Sequence, residues 1–244
     1  MRLIGFEMFS SKEKDEIANK DNLTSMKTDT LSEVKAGNGA ACATPYGLIY
    51  SGGLNSSGSA IQTSLLYWPH AINQYDGNYY QYGIPRSLPD MKVARANHAL
   101  VWHKGKIYAI GGRANSSNAN ISGAFIEVLD YNKEMEWKAY SKPYKYVDGA
   151  SSSHLSYRYN LGACSFGDEI FIFAGEDNDT EPHTSAIAFN PETGVVRKLT
   201  DMCEGLGSDN YLTSCVAVPY GSKIYIFGND KASPNTLKIL EYTP

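Results

Sequence analysis

The sequence predicts an all-β fold built from about four copies of one short meander, and three observations carry that prediction. A run ending on a pair of small residues recurs: GLIYSGG, KIYAIGG, EIFIFAGE and KIYIFGND put the first small residue (Gly in the last) at 52, 111, 174 and 228, spacings of 59, 63 and 54. Fourteen residues before Gly52, Gly111 and Ala174 stands an Asn each time: Asn38, Asn97 and Asn160. The chain is also rich in Gly (22) and Tyr (18), and its aromatic and β-branched runs are separated by Gly-containing breaks, which suits strands and turns. Offsets that match in three copies of four mark a repeat architecture.

Each unit reads in the same order. Strand one opens near the Asn and carries a small or apolar residue four positions later: Cys42, Val101, Cys164 and, allowing for a longer turn in the last copy, Cys215. A tight turn follows (Pro45-Tyr46-Gly47, Lys104-Gly105, Phe166-Gly167-Asp168, Pro219-Tyr220-Gly221), and then the apolar run of strand two. The glycines that end this run suit a bulge or a close approach of neighbouring backbones. Strand three is expected in IQTSLLYW, GAFIEVLDY, HTSAIAFN and TLKILEYT, and a fourth strand at EWKAY and VVRKL.

The setting LDYNKEMEW, with Gly111-Gly112, Tyr131 and then Trp137 six residues later, is similar to the kelch repeat. That resemblance implies a β-propeller in which each repeat supplies a four-stranded blade. It implies little chemistry, since kelch glycines and aromatics are packing residues. The expected organisation is one propeller domain over 1–244: closing strands in 1–36, units over 37–92, 93–145 and 146–202, and an incomplete unit over 203–244. The last unit stops after its third strand, so RLIGFEMF or NLTSMKT near the N-terminus is expected to complete the ring; the alternative is a larger propeller. The stretch YGLIYSGGLNSS faintly resembles kelch-type propellers related to sialic-acid epimerases.

Charge and hydropathy narrow the function. A net charge of −4 without a basic stripe gives no reason to expect a nucleic-acid partner. No apolar run reaches membrane-spanning length and no signal peptide is read, so no membrane insertion and a cytoplasmic location are expected. Five N-x-S/T sequons, at Asn22, Asn55, Asn115, Asn120 and Asn178, fit the Asn- and Ser-rich composition. No cofactor or metal site is expected: the histidines do not cluster, and neither C-x-x-C, H-E-x-x-H, G-x-S-x-G nor a P-loop occurs. The three strand-one cysteines could ring the channel at one height, but packing of small side chains accounts for them better.

The candidate binding residues come from the segments that lead into strand one and the loops that leave strand two, which antiparallel pairing brings to one face. They are Asn38, Arg95, Asn97, Arg113, Tyr157, Arg158, Asn160, Glu176, Asp209, Asn210 and Tyr211. Asn, Arg and Tyr together can hydrogen-bond and stack on a sugar or hold an acidic loop. The Asn positions have a structural reading too, since Asn satisfies backbone groups in tight loops. The Tyr- and Ser-rich segment 141–160 is longer than a blade-to-blade link requires and is a further binding candidate. Two functions are expected from different classes. One is a scaffold or binding module for a protein partner or a glycan. The other is a sugar mutarotase or epimerase, for which Arg95, Arg158, Glu176 and His98 are the available acid/base groups.

Overall fold

A computed structural model describes residues 2–3, 37–67, 86–131, 133–156, 158–176, 184–199, 212–230 and 233–244. It is an all-β ring of four blades. Blade 1 comprises β2 (Ala40–Thr44), β3 (Gly47–Ser51), β4 (Ser64–Tyr67) and β5 (Arg86–Leu88). Blade 2 comprises β6 (Ala99–His103), β7 (Lys106–Ile110), β8 (Ile126–Asp130) and β9 (Glu134–Ala139). Blade 3 has β11 (Gly162–Phe166), β12 (Glu169–Phe173), β13 (Ile187–Phe189) and β14 (Val195–Lys198). Blade 4 has β15 (Leu212–Tyr220), β16 (Lys223–Asp230) and β17 (Ser233–Tyr242). Its fourth strand is β1 (Arg2–Leu3), antiparallel to β17 with Arg2 opposite Glu241. This short pairing joins the two ends of the described chain in one blade.

Strand alternation decides what each blade buries. On β7, Tyr108 and Ile110 face blade 3, whereas Ile107 and Ala109 face blade 1. Three clusters result: Ile49, Leu66, Met91, Ile107 and Trp137 between blades 1 and 2; Val101, Tyr108, Ile126, Ile170, Ile172 and Phe189 between blades 2 and 3; Phe171, Phe173, Ile224, Ile226 and Leu240 between blades 3 and 4. In blades 2 and 3 both sheet faces are covered, so their strands read as apolar runs rather than strict alternation. Trp137, wholly buried, and Tyr131, stacked on Tyr46 at 4.2 Å between centroids, are packing residues.

The segment 141–160 is not an unstructured loop. Lys145–Val147 forms β10, a fifth strand parallel to β14 on the outside of blade 3. Tyr140 and Tyr144 pack against the Phe189 ring at 5.0 and 5.8 Å, and Leu155, in a short 3-10 turn over Ser152–Leu155, enters the blade 2–3 core. Most of 141–153 nonetheless stays exposed, Tyr146 and Val147 included.

The expected ring of three equivalent cysteines is corrected. Cys42 and Cys164 are equivalent, opposite Ile49 and Phe171 on strand two. In blade 4 that position belongs to Val218, opposite Tyr225. An extra residue sits in a β-bulge between Thr213 and Val216, and it shifts Cys215 out of register. Burial pushes the Cys42 and Cys164 thiols up to about 12 and Cys215 higher still, and no group of metal-ligating side chains occurs among the described residues. Cys203 lies outside the described residues.

Candidate functional site at the channel mouth

The first strands of all four blades line a central cavity of about 320 Å³. Its mouth is built from left-handed backbone. Asn38, Asn97, Asn160 and Ser214 have φ of 61°, 54°, 56° and 52°. Asn tolerates this conformation better than other side chains, which explains why it recurs at this offset. The strained turn lets one blade reach the next: Asn97 N–H donates to Asn38 O (2.8 Å), Asn160 N–H to Asn97 O (2.8 Å) and Cys215 N–H to Asn160 O (3.0 Å). In blade 4, Ser214 takes the Asn position, not the Asn210 suggested by spacing, because of the bulge.

The glycine pairs complete the joint. A Cβ on Gly111 would lie 2.3 Å from the Arg158 carbonyl oxygen, and one on Gly52 2.2 Å from that of Arg95. The first residue of each pair thus lies under the backbone that leads into the next blade. The second residue accommodates its own blade's arginine, with a Cβ on Gly112 only 3.0 Å from Arg95 Cβ and one on Gly175 2.5 Å from Arg158 Cγ.

Arg95 and Arg158, expected on the rim, are instead wholly buried. Arg95 donates to Gly111 O (2.8 Å), Phe125 O (3.1 Å), Ala124 O (2.9 Å) and Glu127 Oε2 (2.8 Å). Glu127, also wholly buried, accepts from Lys92 N–H (2.7 Å) and Val93 N–H (3.1 Å) as well. Desolvation lowers the Arg95 pKa and the Glu127 charge opposes that shift. Arg158 donates to Ser185 O (3.3 Å) and Oγ (3.0 Å), and burial pushes its pKa down to about 9, which leaves it charged at neutral pH. It has no carboxylate partner among the described residues: Glu127 pairs with Ala109, and the matching strand position in blade 3, opposite Ile172, is Ile187. Both arginine side chains are thus held inside their own blades.

The other candidates do come together. Arg113 Nε donates to Asn97 Oδ1 (2.9 Å), Asn97 Nδ2 to Asn160 Oδ1 (2.6 Å) and Asn160 Nδ2 to Glu176 Oε2 (3.2 Å). Arg113 Nη1 also donates to Asn118 Oδ1, and its guanidinium lies 5.7 Å from the Tyr159 ring centroid. A continuous polar chain therefore runs across blades 2 and 3, with a cation at one end and an anion at the other. Asn38 is exposed beside it. Tyr157, Asp209, Asn210 and Tyr211 lie outside the described residues.

Beside this chain stand two equivalent loops that begin at the sequon residues Asn55 and Asn115. Asn55 Oδ1 accepts from Ser57 and Ser59 N–H, and Asn115 Oδ1 from Ser117 and Ala119 N–H, so NSSGS and NSSNA form the same turn. Ser116 N–H donates to Gly58 O (2.8 Å) and Ala60 N–H to Ala114 O (2.9 Å), which joins the loops into one wall over blades 1 and 2. The repeated N-S-S was the available signal.

His98 is buried within this frame, its Nε2 2.9 Å from Ser51 Oγ. Burial, and then the Arg95 charge, holds its pKa well below the ordinary histidine value. Of the four groups considered for sugar acid/base chemistry, Arg95, Arg158 and His98 are buried, and Glu176 alone lies at the mouth.

This architecture defines a four-bladed β-propeller whose blades are joined by Asn turns and glycine pairs. The Kelch motif family model matches residues 157–202, which span blade 3, and that match together with the four-blade ring supports a kelch-repeat propeller. No curated protein matches the chain. No helix among the described residues is long and apolar enough to cross a membrane.

Proposed function

We propose that this chain is a protein-binding module that uses the channel-mouth face. The observation that carries the reading is the polar chain from Arg113 through Asn97 and Asn160 to Glu176, set over the cavity and beside the Asn55/Asn115 loop wall. Its two ends offer opposite charges, while the internal amides are already bonded to each other. A partner with both an acidic and a basic or amide group on one short loop matches it, since charge-assisted hydrogen bonds at fixed spacing confer orientation as well as affinity. The kelch-repeat fold supports a protein-interaction scaffold in general; the partner's chemistry is inferred from the mouth alone.

The test compares affinity capture by the wild-type chain, by Arg113→Ala/Glu176→Ala, and by Lys104→Ala/Asp168→Ala, an exposed ion pair (2.5 Å) in the turns that follow strand one, at the other end of the strands. Proteins retained by the wild type should be lost only with the first variant, at unchanged thermal stability. Retention by that variant would sink the proposal. A glycan array probed with the same three proteins separates the glycan reading: glycan binding lost with the mouth variant, with no protein retained, would replace the protein partner.

A further inference from the structure

Tyr108 on β7 is only 2% exposed, yet its hydroxyl makes no hydrogen bond among the described residues. Packing does not account for that hydroxyl. Strand register makes Tyr108, Phe171 and Tyr225 equivalent, opposite Val101, Cys164 and Val218 on strand one. Phe171, also buried, fills its place without a hydroxyl. Tyr225 has one and donates it to Glu241 Oε2 (3.3 Å), the residue paired with it on strand three. In blade 2 that strand-three position is Val128, an apolar side chain. A buried hydroxyl without a partner is costly, and a ligand that supplies the missing bond recovers the loss.

Tyr108 lines a cleft of about 320 Å³ between blades 2 and 3, within the range of small-molecule sites. Val128 and Tyr140 give it apolar surface, and Tyr140 is fixed by donating to Pro191 O (2.9 Å) and by stacking on Tyr144 at 5.3 Å. Lys106, Asp130, Lys138 and Lys142 place charges of both signs around it. The lysines are already engaged: Lys106 and Lys142 share Glu192 (3.6 and 3.1 Å), and Lys138 lies 3.9 Å from Glu136. Burial, then Glu192, Tyr140 and Asp130, raise the Tyr108 pKa, so its hydroxyl stays protonated in negative surroundings. An anionic group is therefore disfavoured against it. A purely apolar ligand would strip water from the charged residues without replacing the hydrogen bonds. The matching ligand is neutral, with several hydroxyls and an apolar face. One hydroxyl accepts from Tyr108, others meet Asp130 and the ammonium groups, and the C–H groups lie on Val128 and Tyr140.

We propose that the cleft between blades 2 and 3 binds one neutral sugar unit through the Tyr108 hydroxyl. The site is separate from the channel mouth and does not rest on the protein-binding reading, since neither Arg113 nor Glu176 lines it. A free saccharide and a unit of a larger glycan carry the same hydroxyls, and substitution at the anomeric oxygen tells them apart.

Saturation-transfer NMR and titration calorimetry of the full chain with D-glucose, D-galactose, D-mannose and their methyl glycosides test this. At least one of these sugars should bind. Tyr108→Phe should weaken that binding at least about tenfold, at a thermal midpoint no lower than wild type, because Phe171 shows that Phe packs at this position. Val128→Glu should weaken it as much, by giving Tyr108 an acceptor within its own blade as Glu241 does for Tyr225. Arg113→Ala/Glu176→Ala should bind the sugar like wild type. Binding of a methyl glycoside supports the proposal with a glycan as the source, and binding confined to a reducing sugar supports it with a free saccharide. No binding of any of these sugars, binding that Tyr108→Phe leaves unchanged, or binding of acetate or phosphate alone would overturn it.

Discussion

Replacing Glu127 by Gln should destabilise the protein far more than a surface substitution would. Gln keeps the size and one carbonyl oxygen, so no cavity opens, but the wholly buried Arg95 guanidinium loses its counter-charge. One of the two backbone N–H groups now held by the carboxylate, Lys92 or Val93, also meets an NH₂ instead of an acceptor. Breaking a buried ion pair from one side costs about 3–5 kcal/mol. Since Arg95 keeps three carbonyl acceptors, the low end applies, and about 3 kcal/mol in a chain of this size lowers the midpoint by roughly 6–12 °C. The assay is thermal and urea unfolding by circular dichroism of wild type, Glu127→Gln, Arg95→Met and the double variant. The double variant should lose at least about 2 kcal/mol less than the two singles summed, because the charges leave together. A Glu127→Gln midpoint within about 2 °C of wild type, or additive losses, would refute the account of Arg95 as a paired structural group.

Other outcomes follow from the same geometry. Gly111→Ala puts a Cβ against the Arg158 carbonyl at a φ of +68° and should cost about 2–4 kcal/mol, whereas Gly167→Ala, at +58° but facing open space, should cost about 1 kcal/mol; comparable losses would mean that blades 2 and 3 are not joined there. His98 has its folded pKa below the unfolded value, so the unfolded chain binds the extra proton; its stabilising contribution is present above about pH 6.5 and is lost as pH falls below that. Unfolding midpoints should therefore drop from pH 7.5 to 5.5, and His98→Gln should flatten that slope; an unchanged slope would show that other groups set it. Cys42, Cys164 and Cys215 should not react with a disulfide reagent at pH 8 until the protein is unfolded, since burial raises all three thiols. Rapid labelling of the native protein at any of the three would contradict their packing role.

Fold and site were legible to different depths. The glycine pairs and the Asn fourteen residues before them reveal the blades because each answers a local backbone demand, a positive φ or a contact too close for a Cβ, that few residues meet. Spacing also indicates which segments reach the mouth, and Arg113, Asn97, Asn160 and Glu176 do meet there. It does not tell which way a side chain turns once there. Arg95 and Arg113 are equally placed by the repeat, yet one enters the core because Glu127, on a later strand, awaits it. The lone Glu inside GAFIEVLDY, between apolar residues, was the clue. The bulge at Thr213–Val216 was out of reach, because an extra residue in the fourth unit fits the turn as well as the strand.

The latch between β1 and β17 has a consequence for how the chain reaches its native state. Arg2 pairs with Glu241, so that contact spans nearly the whole chain, whereas the other strand pairings among the described residues join strands of one blade. Loop-closure entropy is largest for such a contact, and long-range pairings form late. During synthesis the first three blades can assemble in order as they emerge, each resting on its predecessor through the Asn joints. β1, the outermost strand of blade 4, is made first but has no partner until β17 emerges with the final residues, and β17 is an unpaired edge until the two ends meet. The slowest folding phase should therefore report ring closure, and it is over that interval that the nascent protein is most exposed to pairing with its neighbours.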